Sequence, residues 1–173
     1  MADFMRNSDV ANLPHEYLTG IELHRKIDSF TDNHREVRKV NKLFHRHHGK
    51  YAPVITDILF DYILGMHWSL FSAEDMHDFM ENVYHQLIKY QHLFPSHRAT
   101  RIKNMINGRF LHNYVTIEGL RFTFGKMESR TKYVSNFNLI VDNLDEHIPY
   151  LEEAFLSFFP ELINEVNSFC EVD

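Results

Sequence analysis

Apolar residues recur at three- and four-residue intervals along most of the chain, the spacing that marks one face of an α-helix. Glycine is scarce, and proline sits mostly between the periodic segments. The pattern predicts a long first helix from about Glu16 to His45. Thr31-Asp32-Asn33 is where it breaks or kinks, because short polar side chains compete for backbone hydrogen bonds. His47-His48-Gly49 reads as a stop, and Pro53 opens a second helix, to His67, from its first turn, where a missing N–H costs little. Ser72-Ala73-Glu74-Asp75 reads as an N-cap with first-turn acids, starting a third helix that runs to about Gln91. Further helices are predicted over about 97–112 and 117–127. A long one follows over 132–159, kinked or divided at Pro149, and Pro160 restarts a short terminal helix. No strand, repeat or linker is evident. The expected architecture is all-α, a helical bundle of one domain spanning residues 1–173.

Composition supports a folded chain. At 173 residues, with 44% hydrophobic residues, 15 Phe and 8 Tyr, it has enough large apolar side chains for a sizeable core. Cys170 is the one cysteine, so no intramolecular disulfide forms, which fits a reducing cytoplasm. No apolar run approaches the roughly 20 residues of a membrane span, and Met1-Ala2-Asp3-Phe4 does not read as a signal peptide.

Charge changes the picture more than composition does. The net charge is −6, but it is divided unevenly. Residues 35–50 hold six Lys or Arg and one acid; residues 97–132 hold eight and two. Residues 133–173 hold nine acids and no Lys or Arg. Basic stretches on an acidic chain point to an acidic partner or a phosphorylated ligand, against the plainer reading of solvated helix faces. An acidic whole without a recognisable motif argues against nucleic acid.

Two short polar clusters carry candidate chemistry. His24, Asp28 and Asp32 recur every fourth position, as do Asp57 and Asp61, and on a helix such residues share a face. Leu23, Ile27 and Phe30 surround the first cluster, and Ile55, Ile58, Leu59, Phe60 and Ile63 crowd the second. Carboxylates enter such surroundings when paired, hydrogen-bonded or bound to metal. One imidazole with several carboxylates suits a hard or borderline divalent cation. Ion pairing with Arg25, Lys26 or Arg38 accounts for the same pattern, and both readings stay open at this point. His45, His47 and His48 read as a solvated helix end. Cys170, among acids, is a poor nucleophile. No nucleophile elbow or glycine-rich phosphate loop is present.

Ala2-Asp3-Phe4, the stretch from Gly20 through His24-Arg25-Lys26-Ile27-Asp28 to Thr31-Asp32, and Asp57-Ile58-Leu59-Phe60-Asp61-Tyr62 with Trp68 resemble the bacterial acyl carrier protein phosphodiesterases. Phe122-Thr123-Phe124-Gly125-Lys126-Met127-Glu128-Ser129-Arg130 and Phe155-Leu156-Ser157-Phe158-Phe159-Pro160 extend the resemblance to about Val166. It implies an all-α, HD-domain-like phosphohydrolase of fatty acid biosynthesis. Such an enzyme uses Mn2+ or Mg2+ to cleave 4′-phosphopantetheine from a serine of holo-acyl carrier protein. The residues it implies as metal ligands are Asp3, His24, Asp28, Asp57 and Asp61, with Arg25, Asp32 and Asp61 in catalytic roles. It implies an acidic protein substrate for the basic stretches, and no nucleic acid or membrane partner. Two departures accompany it: the segment that usually precedes the Ala-Asp-Phe motif is lacking, and Tyr62 stands where histidine is common. Two alternatives are a related phosphohydrolase of a small phosphoester or nucleotide, and a non-catalytic binding protein for an acidic partner.

Overall fold

Side-chain caps open several of the helices in the computed structural model, which describes residues 17–93, 96–131 and 136–171. The first predicted helix is two helices, α1 (Leu18–Asn33) and α2 (Arg35–His48). The break falls at His34, whose ψ of 134° is extended; Thr31, Asp32 and Asn33 stay helical. His34 is buried, its ring packed beside Phe30 and Phe158, and its Nδ1 accepts the Glu36 N–H at 3.3 Å as an N-cap.

A 3-10 turn over Gly49–Tyr51 leads to α3 (Ala52–Met66), with Pro53 in its first turn as expected. Gly49 has φ +53°, a left-handed conformation that favours glycine. The short α4 (Trp68–Phe71) precedes α5 (Met76–Lys89). The cap of α5 is Asp75, not Ser72: its carboxylate accepts from the N–H groups of His77 and Asp78. Ser72 instead tightens the preceding turn by accepting the Glu74 N–H.

Helix α6 (Ser96–Asn107) ends five residues before its expected limit at His112. Arg109 turns left-handed at φ 46°, and a separate 3-10 segment follows over Phe110–Tyr114. Thr116 caps α7 (Ile117–Glu128) by accepting the Gly119 N–H. The long helix expected from 132 begins later, because the chain turns at Asn143 between α8 (Asn138–Asp142) and α9 (Leu144–Cys170); residues 132–135 lie outside the described residues. Pro160 does not restart a helix. Helix α9 runs through both Pro149 and Pro160. Each interior proline costs about 3 kcal/mol. Both face solvent, while Leu144, Leu151, Ala154, Phe155 and Phe158 bury one continuous face. At about 1.5–3 kcal/mol per large buried side chain, that face outweighs the two lost hydrogen bonds.

The core is centred on α3, which α2 and α9 flank and α7 closes through the fully buried Leu120 and Phe124. Aromatic rings join α3 to α9, with Phe60 at 5.4 Å from Phe155 and 5.7 Å from Phe158 between centroids. The fold is all-α, as the periodicity predicts, with no strand among the described residues. No helix of the described residues is long and apolar enough to cross a membrane.

Two glycines bring the 110–115 segment close to its neighbours. A Cβ on Gly119 of α7 would lie 2.4 Å from the Asn113 backbone, and one on Gly65 of α3 would lie 2.7 Å from the Val115 side chain. Only glycine allows these approaches without displacement.

Candidate functional site

Helix α3 is apolar on nearly every side, and its solvent-facing stripe holds Val54, Asp57 and Asp61. Spacings of three and four residues place them on one face. That face forms one wall of a cleft of about 880 Å3, completed by α6, the 3-10 segment and α7. Asp57 and Asp61 line it on the α3 side. Arg101 of α6, with Lys126 and Arg130 of α7 and its following turn, lines the other sides. Phe110, Tyr114 and Phe122 add aromatic surface, and the Lys126 ammonium sits 4.0 Å from the Phe122 ring centroid.

Both carboxylates reach water, but from within a cleft whose walls remove part of their solvation, which favours the neutral form. Asp57 is pushed up to about 6, first by burial and then by the charges of Asp32 and Asp28. Asp61 is pushed up to about 7 by burial and by Asp57. Burial and the Asp61 charge raise the Tyr114 phenol, so this group remains a neutral hydrogen-bond donor at the same wall.

Asp57 and Asp61 line the cleft, whereas His24, Asp28 and Asp32 of α1 are not among its lining residues. Asp28 and Asp32 of α1 act electrostatically on Asp57 of α3, and His24 Nδ1 lies 2.9 Å from Asp28 Oδ2. The neighbouring negative charges disfavour ionised Asp57 and Asp61, and a divalent cation held there would relieve that repulsion. The oxygen donors of the two clusters and their single imidazole fit a hard cation such as Mn2+ or Mg2+. Among the described residues, the only set of three potential ligands within 4.8 Å of one another is His77, Glu81 and His112. Asp3 lies outside the described residues. Arg25 is exposed on α1 and is not among the cleft-lining residues.

Ion pairing with Lys26 does not account for the acids. Lys26 reaches the other way, 3.2 Å from Glu165 on α9 and over the Phe169 ring. Tyr62, one residue past Asp61, packs against the core outside the cleft lining, with burial and the charges of Asp145 and Glu118 raising its phenol. Trp68 serves the structure of the α4–α5 connection. Its indole N–H donates to the Glu74 carbonyl at 2.7 Å, and its ring lies 4.9 Å from that of Phe79. His48 is more than a solvated helix end, because its ring stacks on Phe137 at 5.3 Å.

Sequence reasoning did not single out Lys126, Arg130 and Arg101 as site residues. The signal was present in the basic stretch over 97–132 and in the four-residue spacing of Phe122, Lys126 and Arg130. Other arginines of that stretch are committed elsewhere: Arg121 pairs with Asp142 at 2.6 Å and Arg109 with Glu81. The basic residues over 35–50 lie on α2 and its following turn and do not line the cleft.

The protein from Klebsiella pneumoniae (strain 342) named acyl carrier protein phosphodiesterase is 27% identical over 164 residues, covering 94% of this chain and 85% of its own length. The protein of the same name from Escherichia coli O6:K15:H31 is 27% identical over 169 residues, covering 96% of this chain and 87% of its own length. No solved structure matches the chain. The family model described as acyl carrier protein phosphodiesterase matches residues 1–162, and the chain belongs to that family.

Proposed function

We propose that the chain is a metal-dependent phosphodiesterase that hydrolyses the bond between 4′-phosphopantetheine and a serine of holo-acyl carrier protein. The products are apo-acyl carrier protein and free 4′-phosphopantetheine. The observation that carries this reading is the apposition, in one cleft, of mutually repelling carboxylates with Arg101, Lys126 and Arg130. The names of the relatives supply the substrate.

Asp57 and Asp61 would hold Mn2+ or Mg2+ together with Asp28 and His24, and with Asp3 from outside the described residues. When bound, such a cation supplies Lewis acidity at the phosphoryl oxygens and acidifies nearby water. The remaining roles belong to the chain. Lys126 and Arg130 neutralise the phosphodiester and fix its orientation, Arg130 with a guanidinium suited to two phosphate oxygens. Tyr114 donates a hydrogen bond from the same wall. Asp61, beside Tyr114, takes the proton of the attacking water as its oxygen adds to phosphorus. The phosphorus–oxygen bond to serine breaks, and the serine oxygen leaves as a hydroxyl by taking up the proton that Asp61 accepted from the water. Asp32 and Arg25 stand outside the cleft lining, where Asp32 adds negative charge near Asp57. The basic residues of the cleft draw in a small acidic protein. A lone cysteine fits a cytoplasmic site of action.

Intact-mass spectrometry of holo-acyl carrier protein tests the reading. Incubation with Mn2+ is expected to remove the phosphopantetheine mass, and chelator to prevent its loss. Full turnover in a chain lacking both Asp57 and Asp61 would refute the site. Binding of the carrier without any mass change, with Mn2+ or Mg2+ present, would favour a non-catalytic partner protein.

A further inference from the structure

His77 and Glu81 stand one turn apart on α5, and the 3-10 segment brings His112 against them. Ligand atoms of all three lie within 4.8 Å of one another, and the His77 and His112 rings meet edge to face at 5.7 Å. Arg109 occupies the middle. Its guanidinium pairs with the Glu81 carboxylate, and Nη2 lies 2.9 Å from His112 Nε2.

That last contact fixes the state of His112. A guanidinium only donates, so Nε2 presents its lone pair to the centre of the cluster. Nδ1 then carries the proton, and it donates to the Tyr84 hydroxyl oxygen at 3.1 Å. Tyr84 is held in turn, since its oxygen accepts the Leu111 N–H at 3.0 Å and its side chain is buried. An imidazole with one nitrogen facing a cation and the other N–H anchored to a fixed oxygen is the arrangement found in metal-bound histidines.

We propose that His77, Glu81 and His112 form a second cation site, separate from the acidic cleft, at which zinc or another borderline divalent ion replaces the guanidinium of Arg109. Two imidazoles and one carboxylate suit such an ion better than Mg2+ or Ca2+, and three protein ligands leave a fourth position open. Arg109 acts as a built-in competitor that keeps the site charge-balanced without metal. The site ties the 110–114 segment to α5. Phe110 and Tyr114 of the same segment line the cleft, so occupancy of the second site stiffens one of its walls.

The site does not depend on the proposed activity, and binding tests it directly. Zn2+ is titrated calorimetrically into the full chain carrying Asp57→Asn and Asp61→Asn, which silences the acidic centre. One ion per chain is expected. His112→Ala and the near-isosteric Glu81→Gln should each weaken it by about tenfold or more, while Arg109→Ala should tighten it by removing the competitor. With Co2+ as probe, the visible band of a low-coordinate ion should appear and vanish in Glu81→Gln. Circular dichroism verifies that each variant is folded. Zinc binding unchanged in both His112→Ala and Glu81→Gln, weakened in Arg109→Ala, or absent from the parent and Arg109→Ala chains alike would overturn the proposal.

Discussion

Replacing Asp61 with asparagine should stabilise the metal-free protein at alkaline pH while abolishing turnover. The Asp61 carboxyl is raised from 3.8 to about 7 in the folded state. Between those values the folded chain binds more protons than the unfolded one. This group's contribution to stability is therefore fully present below about pH 3.8 and is lost as pH rises through about 7. A shift of about three units corresponds nominally to about 4 kcal/mol. Water reaches this carboxylate, and screening reduces the expected gain to about 1–2 kcal/mol. For a chain of this size that raises Tm by about 3–6 °C. Asparagine keeps the shape and removes the charge, so the gain should be largest near pH 8 and disappear near pH 4. Urea denaturation followed by circular dichroism in excess chelator, at pH 8, 6 and 4.5, measures it. An Asp61→Asn chain no more stable than wild type at pH 8, or equally stabilised at all three values, would refute the electrostatic account. Added Mn2+ should reverse the order, by stabilising wild type and not the variant.

Other perturbations have equally definite outcomes. Gly119→Ala places a Cβ 2.4 Å from the Asn113 backbone, and the displacement should cost about 1–3 kcal/mol, read as a lower urea midpoint. Thr56 is fully buried, and its hydroxyl has no hydrogen-bond partner among the described residues. Thr56→Val should therefore stabilise by about 1 kcal/mol, and a loss of stability would show that the hydroxyl is satisfied. Reversing charge with Lys126→Glu and Arg130→Glu should raise KM for holo-acyl carrier protein about tenfold at low ionic strength, an effect that shrinks as salt screens it.

The sequence reading was most reliable where periodicity and capping act locally. The helix opened by Pro53, the one ending near Met127 and the pairing of His24 with Asp28 all follow from spacing along one helix. Errors arose where tertiary packing outweighed a local rule. Pro160 sits inside α9 because the neighbouring Phe155 and Phe158 are buried too deeply for the helix to end there. The break after α1 falls at His34, held by contacts with Phe158 and Glu161 that are over 120 residues distant. That Asp28 and Asp32 of α1 act on the charge of Asp57 of α3 depends on tertiary packing, which no spacing rule encodes. Arg101, Lys126 and Arg130 join the site through folding at a distance, and composition alone marked only their stretch as basic.

The glycines at 65 and 119 have a further consequence for how this cleft varies. With no side chain between them and the 110–115 segment, that wall is set by the Asn113 main chain against α7 and by the Val115 side chain against α3. A clash against main chain is relieved only by moving the whole segment, whereas a flexible side chain can relieve one by changing rotamer. A library that randomises Gly65 or Gly119 would therefore return mostly misfolded chains. Met105 and Phe122 line the cleft and are not among the residues packed against the core, so they are the positions at which its shape can be retuned one methylene at a time.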